Sequence, residues 1–245
     1  MIEKIFKAYD VRATYPTPLN EDAAWKVGHA TAQYLKRSRQ SATDRVKLED
    51  TLVVGRDMRP SSPALAKALI DGISSVGMNV IDVGMIDTSF MYFAINHLGA
   101  VGGIQTTASH NPIQYNGFKI SGPKAAPIGA ASGLDDIKRI ASSLRPGQTG
   151  ESGKVQTRDL WAEYRKHVLQ FLDLKRPIRV VIDASNGMAG KMVPAVFDGI
   201  PNLQIIPVLY PGQHVSPDPV VKRYSFKACQ MVHGHRLQSD SYSIK

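Results

Sequence analysis

The sequence contains a single cysteine, Cys229, in 245 residues. That excludes a disulfide framework and a zinc site built from several thiolates, and it fits a reducing compartment such as the cytoplasm. Long apolar runs are also missing: none reaches the roughly 18 residues that a membrane-spanning helix needs, so no membrane partner is expected. The N-terminus, Met1-Ile2-Glu3-Lys4-Ile5, lacks a basic segment followed by a long apolar stretch, so no secretory signal is read there. Acidic residues are in deficit, with 21 against 30 lysines and arginines and a net charge of +9. A basic surplus invites a polyanion partner only if it is concentrated on one surface.

Much of the surplus sits at one end. Residues 222–245 hold five basic residues and one acidic residue, whereas residues 1–221 hold 25 and 20. A second cluster, Lys36-Arg37-Ser38-Arg39 with Arg45 and Lys47, falls between an expected helix and an expected strand. It reads as a solvated loop, because no aromatic residue interleaves it to stack bases and no nucleic-acid-binding signature accompanies it. Nucleic acid is therefore a disfavoured partner.

At 43% hydrophobic residues the chain has material for a sizeable core. Strand and helix patterns alternate along it. Asn20 is a plausible N-cap for a helix running to about Leu35, with Glu21 and Asp22 in its first turn. Residues 51–55 read as a buried strand, and Ser61 or Ser62 as the cap of a helix with Leu65, Leu69, Ile70 and Ile73 on one face. A strand over 79–84 and a helix over 88–98 follow. The fold class is α/β, a mixed sheet with helices packed on it, in a first domain over residues 1–142. Residues 143–157 are nearly free of apolar side chains and read as a linker. A second, incomplete α/β domain occupies 158–221, with a helix over 159–171, a strand over 179–183, a helix over 190–197 and a strand over 204–208. Residues 222–245 form a divergent basic tail without a sustained period.

The stretch Gly102-Gly103-Ile104-Gln105-Thr106-Thr107-Ala108-Ser109-His110-Asn111-Pro112 is the most informative. A strand runs into small hydroxyl residues and an Asn-Pro turn, so hydroxyls converge at a strand's carboxyl end, where α/β sheets keep their sites. A plain polar turn whose hydroxyls satisfy the backbone fits the same residues. Triad chemistry is disfavoured: neighbours in extended backbone point to opposite sides, so His110 is poorly placed for Ser109, and no Gly-x-Ser-x-Gly elbow surrounds the serine. A serine flanked by hydroxyls could instead carry a phosphoryl group, served by cations. Lys7, Arg12, Arg56, Arg59 and Lys119 are the candidates.

These residues resemble a known family. Thr106-Thr107-Ala108-Ser109-His110-Asn111-Pro112 resembles the phosphoserine signature of the α-D-phosphohexomutases, the phosphomannomutase/phosphoglucomutase group. Phe6-Lys7-Ala8-Tyr9-Asp10-Val11-Arg12 is similar to its N-terminal strand, Gly55-Arg56-Asp57-Met58-Arg59 to its second-strand loop, and Tyr115-Asn116-Gly117-Phe118-Lys119 to the segment after the serine. The stretches 183–190 and 214–219 resemble later motifs, so the likeness covers about residues 4 to 220.

The resemblance implies transfer of phosphate between the 1- and 6-hydroxyls of a hexose phosphate, through a phosphoserine and a hexose 1,6-bisphosphate. It makes Ser109 the phosphoryl carrier and, through its phosphate, a Mg²⁺ ligand. It makes Lys119, Arg12 and His110 catalytic candidates, and Tyr9, Lys7, Arg56 and Arg59 candidates for binding hexose 1-phosphate and 6-phosphate. Two departures stand out. Ala13 follows Arg12 where the family has glycine, which would strain a loop needing positive φ. The family's Asp-Gly-Asp-Gly-Asp-Arg metal loop is absent from the sequence, as expected for the N-terminal part of a longer, poorly active mutase. The alternatives are a non-catalytic sugar-phosphate-binding or interaction module, and an anion binder using Lys36–Arg39 and the tail.

Overall fold

The computed structural model describes residues 2–40, 49–144, 152–184 and 187–207. The expectations for the His214–Pro219 motif and the 222–245 tail lie outside the described residues.

After a 3-10 turn at Ile2–Ile5, the chain runs through β1 (Val11–Thr14), α1 (Glu21–Gln40), β2 (Glu49–Arg56), α2 (Ser62–Ser74), β3 (Asn79–Met85), α3 (Thr88–His97), β4 (Ala100–Thr106) and β5 (Tyr115–Ser121). Next come α4 (Leu134–Ser143), β6 (Val155–Thr157), α5 (Trp161–Leu169), β7 (Ile178–Ile182), α6 (Ala189–Phe197) and β8 (Leu203–Pro207). Asn20 caps α1 as its sequence context predicts, its side-chain oxygen accepting from the Ala23 N–H at 3.0 Å. Ser61 occupies the N-cap position of α2 but makes no side-chain cap bond, because its hydroxyl is turned to Asn116 instead. Ala13 lies inside β1, opposite Asn116, and is not among the positive-φ residues, so the missing glycine strains nothing there.

Six strands form one mixed sheet in the order β1-β5-β4-β2-β3-β6. β4, β2, β3 and β6 run parallel, while β5 is antiparallel to both β4 and β1. From β2 the chain steps outward to β3 and then back across β2 to β4. Right-handed crossovers must therefore place α2 and α3 on opposite faces of the sheet. The cores agree: α1, α2 and α4 pack on one face and α3 on the other, and β4, covered on both sides, is buried along its whole length. Residues 155–157, inside the stretch expected to be a linker, pair with β3 as the edge strand β6.

β7, α6 and β8 make a parallel βαβ unit of their own. The preceding helix α5 packs on the α3 face through aromatic contacts: Phe90 meets Tyr164 and Trp161 with ring centroids 4.6 and 4.8 Å apart. The Lys191 ammonium of α6 donates to the Met85 carbonyl at 3.0 Å while lying 5.1 Å from the Trp161 ring centroid.

The α1–α2 crossing sets where α2 begins, and two glycines set the crossing. A Cβ on Gly72 would sit 2.1 Å from the Trp25 carbonyl oxygen, and one on Gly28 would sit 2.2 Å from that of Leu69. Gly72→Ala is expected to cost about 3 kcal/mol in urea unfolding; a loss below about 1 kcal/mol contradicts this packing.

His29 is buried in the same seam. Its Nδ1 lies 2.8 Å from the Ser75 hydroxyl, which itself donates to the Gly72 carbonyl at 2.7 Å. Nδ1 must therefore carry the proton, and Nε2 accepts from the Gln33 amide at 3.2 Å. Burial holds the His29 pKa below the ordinary value. The unfolded chain consequently binds more protons, and stability falls as pH drops from about 6.5 toward the lowered folded value. In thermal melts between about pH 7.5 and 5, His29→Gln should lose less Tm than the parent. Equal losses contradict the assignment.

Candidate functional site

The carboxyl ends of β2 and β4 are adjacent, and their outgoing connections leave in opposite directions across the sheet. This is a topological switch point, where open α/β sheets form their crevices. The loop after β2 carries Asp57 and Arg59, and the loop after β4 carries Ser109. The Asp57 N–H donates to the Thr106 carbonyl at 2.9 Å, joining the two loops at their base.

Asp57 is 4% exposed and accepts four hydrogen bonds. Oδ1 takes the Arg59 N–H at 3.0 Å and the Ser62 hydroxyl at 2.6 Å, while Oδ2 takes Arg59 Nε at 3.2 Å and the Thr107 hydroxyl at 2.7 Å. Thr107 Oγ1 in turn accepts from the Ser109 N–H at 3.0 Å. Asn116 reaches across from β5, donating to Ser61 and Ser62 at 2.8 and 2.9 Å.

Arg59, 7% exposed, holds the serine loop from beneath. Nη1 donates to the carbonyls of Pro112 and Tyr115 at 2.7 and 3.0 Å. Nη2 donates to those of Ser109 and Asn111 at 2.9 and 2.6 Å. With Nε on Asp57, all five side-chain N–H groups are engaged. Arg59, expected from the sequence as a phosphate ligand, is instead a strut of the loop.

Above this strut Ser109 is exposed and adopts φ = 56°, a left-handed conformation that a non-glycine residue rarely takes. The turn also places Ser109 Oγ 3.5 Å from Nδ1 of the exposed His110, at the outer limit of hydrogen bonding. The expectation that neighbouring side chains diverge held for extended backbone, and this backbone is not extended.

The remaining candidates are distributed as follows. Arg12 pairs with Gly117 in the β1–β5 ladder and Lys119 with Gln105 in the β4–β5 ladder, so both side chains share the α3 face of the sheet. Arg12 ion-pairs with Asp10, and its Nε is buried without a partner. Lys119 is partly exposed, with no hydrogen bond or ion pair among the described residues. Arg56 ends β2 and reaches the Asp57 carbonyl at 3.5 Å. Lys7 is exposed, its ammonium on the Lys4 carbonyl at 2.8 Å, and Tyr9 is 86% exposed. In the second basic cluster Lys36 is tied to the Val76 carbonyl at 2.9 Å, and Arg37 is also partnered. The side chains of Arg39, Arg45 and Lys47 lie outside the described residues.

Sequence reasoning passed over Asp57, Thr107 and Asn116 as working parts. A carboxylate flanked by two arginines in a short turn was the available signal for Asp57. Among the described residues no group of three or more histidine, cysteine or acidic side chains is placed to hold a metal. Asp57 is fully engaged with Arg59, Ser62 and Thr107, so the described donors do not fit Mg²⁺, which requires about six oxygen ligands in near-octahedral geometry.

A mixed α/β sheet whose switch point carries an exposed, left-handed serine over a buried Asp–Arg pair defines the class: an α/β domain with a serine loop at the carboxyl ends of its strands. The family model for phosphoglucomutase/phosphomannomutase, alpha/beta/alpha domain I, matches residues 3–146, and the chain belongs to that family. Phosphomannomutase from Escherichia coli K12 is 38% identical over 195 residues, 78% of this chain and 40% of its own length. Phosphomannomutase from Salmonella montevideo is 37% identical over 217 residues, 87% of this chain and 45% of its own length. The chain thus spans less than half the length of the curated relatives it matches. A crystal structure of a phosphoglucomutase/phosphomannomutase family protein from Burkholderia thailandensis superposes with a TM-score of 0.68 at 31% identity, covering 83% of this chain and 43% of that one. A structure from Thermus thermophilus, at 24% identity and TM-score 0.63, shares the fold. No helix among the described residues is long and apolar enough to cross a membrane.

Removing the Asp57 charge leaves a buried guanidinium unmatched. Asp57→Asn is expected to destabilise the chain by about 3–5 kcal/mol in denaturant unfolding; a loss under about 1 kcal/mol would show the pair to be dispensable.

Proposed function

We propose that this chain carries the phosphoserine domain of a phosphohexomutase and that Ser109 is the phosphoryl carrier. The observation that supports the reading most is the exposed, left-handed Ser109 held on its loop at the switch point, with Lys119, unpartnered among the described residues, on the neighbouring strand. In the proposed cycle a hydroxyl oxygen of a hexose 1- or 6-phosphate attacks the phosphorus on Ser109. The bond from phosphorus to Ser109 Oγ breaks, and the hydroxyl proton passes to the serine oxygen. The resulting hexose 1,6-bisphosphate turns over, and its other phosphate returns to Ser109 by the reverse exchange.

Lys119 is suited to move that proton or to balance charge, since its ammonium has no competing partner among the described residues. Arg12 and Arg56 are partly buried cations for equatorial phosphate oxygens, and His110, Tyr9 and Lys7 are the further candidates for binding the same phosphates. Mg²⁺ enters through the family, which is generally Mg²⁺-dependent. Of the described residues only a phosphorylated Ser109 would offer it ligands, and no step is built on it.

The domain reading belongs to the same proposal: a first unit over 1–142, a junction over 143–157, a second unit over 158–221 and a basic tail over 222–245. The family match ending at residue 146 supports the first boundary. Incubation with glucose 1,6-bisphosphate and Mg²⁺ should add one phosphoryl group to the intact chain, and Ser109→Ala should abolish the gain. No mass gain at any bisphosphate concentration overturns the proposal.

A further inference from the structure

We propose that Arg59 is the positioning residue of the serine loop: by gathering four carbonyl oxygens onto one buried guanidinium, it turns the His110 and Ile113 N–H groups outward, toward the anion that Ser109 carries. The inference rests on the phosphoserine reading above.

In a trans planar peptide the C=O and N–H bonds point in opposite directions. The cis bonds among the described residues are those before Pro16 and Pro18, so the serine loop is trans throughout. Arg59 holds the Ser109 and Pro112 carbonyls at 2.9 and 2.7 Å, and the N–H groups of His110 and Ile113 must therefore point away from it. Neither N–H has a partner among the described residues, and both residues are exposed. Free amides turned outward along the loop that follows a left-handed residue give it an anion-binding edge. The Asn111 carbonyl, which precedes a proline without an N–H, is drawn under the loop by the same group at 2.6 Å. Its negative end is thereby removed from the surface.

Arg59 itself has no donor left for a phosphate, and Asp57 balances its charge. It acts by geometry. Thr107 completes the device by linking Asp57 to the Ser109 N–H, so that the backbone on both sides of the serine is fixed from one buried ion pair.

Phosphoryl uptake from glucose 1,6-bisphosphate, followed by intact mass with Mg²⁺ present, tests this. In the uptake a bond from phosphorus to a sugar oxygen breaks, a bond to Ser109 Oγ forms, and the serine proton ends on the sugar oxygen. Arg59→Ala should lower the maximal rate on the order of 100-fold. The half-saturating bisphosphate concentration should stay within about twofold, because no substrate contact is lost. Added guanidinium should restore part of the rate, and Arg59→Lys, which lacks the planar fork, should restore little. Thr107→Val, which cuts the link to Ser109 while leaving Arg59 in place, should slow uptake about tenfold, and it decides the matter if circular dichroism shows Arg59→Ala unfolded. A raised half-saturating concentration with an unchanged maximal rate would make Arg59 a phosphate ligand and overturn the inference. Parent-like kinetics in a folded Arg59→Ala, or in Thr107→Val where that variant decides, overturns it as well. A parent chain that takes up no phosphate overturns the phosphoserine reading and this inference with it, which separates the two failures.

Discussion

The buried pair of Asp57 and Arg59 is the constraint on which the serine loop depends. Burying two opposite charges is costly, and their mutual attraction offsets that cost only when the remaining donors and acceptors are also satisfied. Here they are: Asp57 accepts four hydrogen bonds, and Arg59 donates one to the carboxylate and four to carbonyls. The guanidinium's flat fork allows one side chain to gather four carbonyls from seven consecutive residues, which a lysine ammonium with three donors could not do. The pair lies on the loop after β2, while the carbonyls belong to the connection between β4 and β5. The adjacency of β2 and β4 in the sheet is what brings them together.

That arrangement accounts for the backbone of Ser109. A left-handed L-residue costs about 1–2 kcal/mol, and an isolated Thr-Ala-Ser-His-Asn segment would relax out of it. The carbonyl of Ser109 is held by Arg59 and its N–H by Thr107, so relaxation would break two hydrogen bonds within a buried network. The strain is carried by residues about 50 positions away in the chain. On the proposed phosphoserine reading, the position of Ser109 is thus set by the fold before a ligand arrives.

The same fact explains how far the sequence could be read. Elements defined by local periodicity were legible: the Asn20-capped α1, the apolar faces of α2 and the runs of β2 and β3 all fall within a few residues of where their patterns place them. The hydroxyl-rich stretch after a strand likewise falls on the loop that Arg59 gathers. The φ of Ser109 was not legible, because tertiary bonds from Asp57 and Arg59 set it against local preference. Nor was the role of Ser61 and Ser62, whose helix-start position suggested capping until Asn116 arrived from β5. β6 escaped notice because three exposed residues with one apolar side chain carry no strand pattern and form a strand only when β3 offers its edge.

Burial also divides the cations that the sequence treated alike. Arg56 and Arg59 stand three residues apart in one motif, yet Arg59 is closed off on every donor whereas Arg56 keeps one long contact of 3.5 Å at the carboxyl end of β2. Arg12 occupies a middle state: its side chain is 29% exposed against 8% for its partner Asp10, and its Nε is buried without a bond. An arriving dianion competes with a single carboxylate for Arg12, but at Arg59 every donor it takes must first give up an existing bond. The first exchange replaces one charge-assisted contact by another, and the second dismantles the loop that presents the serine. Residue type and motif position therefore mark where charge is needed, and the number of partners each guanidinium already holds decides whether it can answer a ligand or can only shape the site.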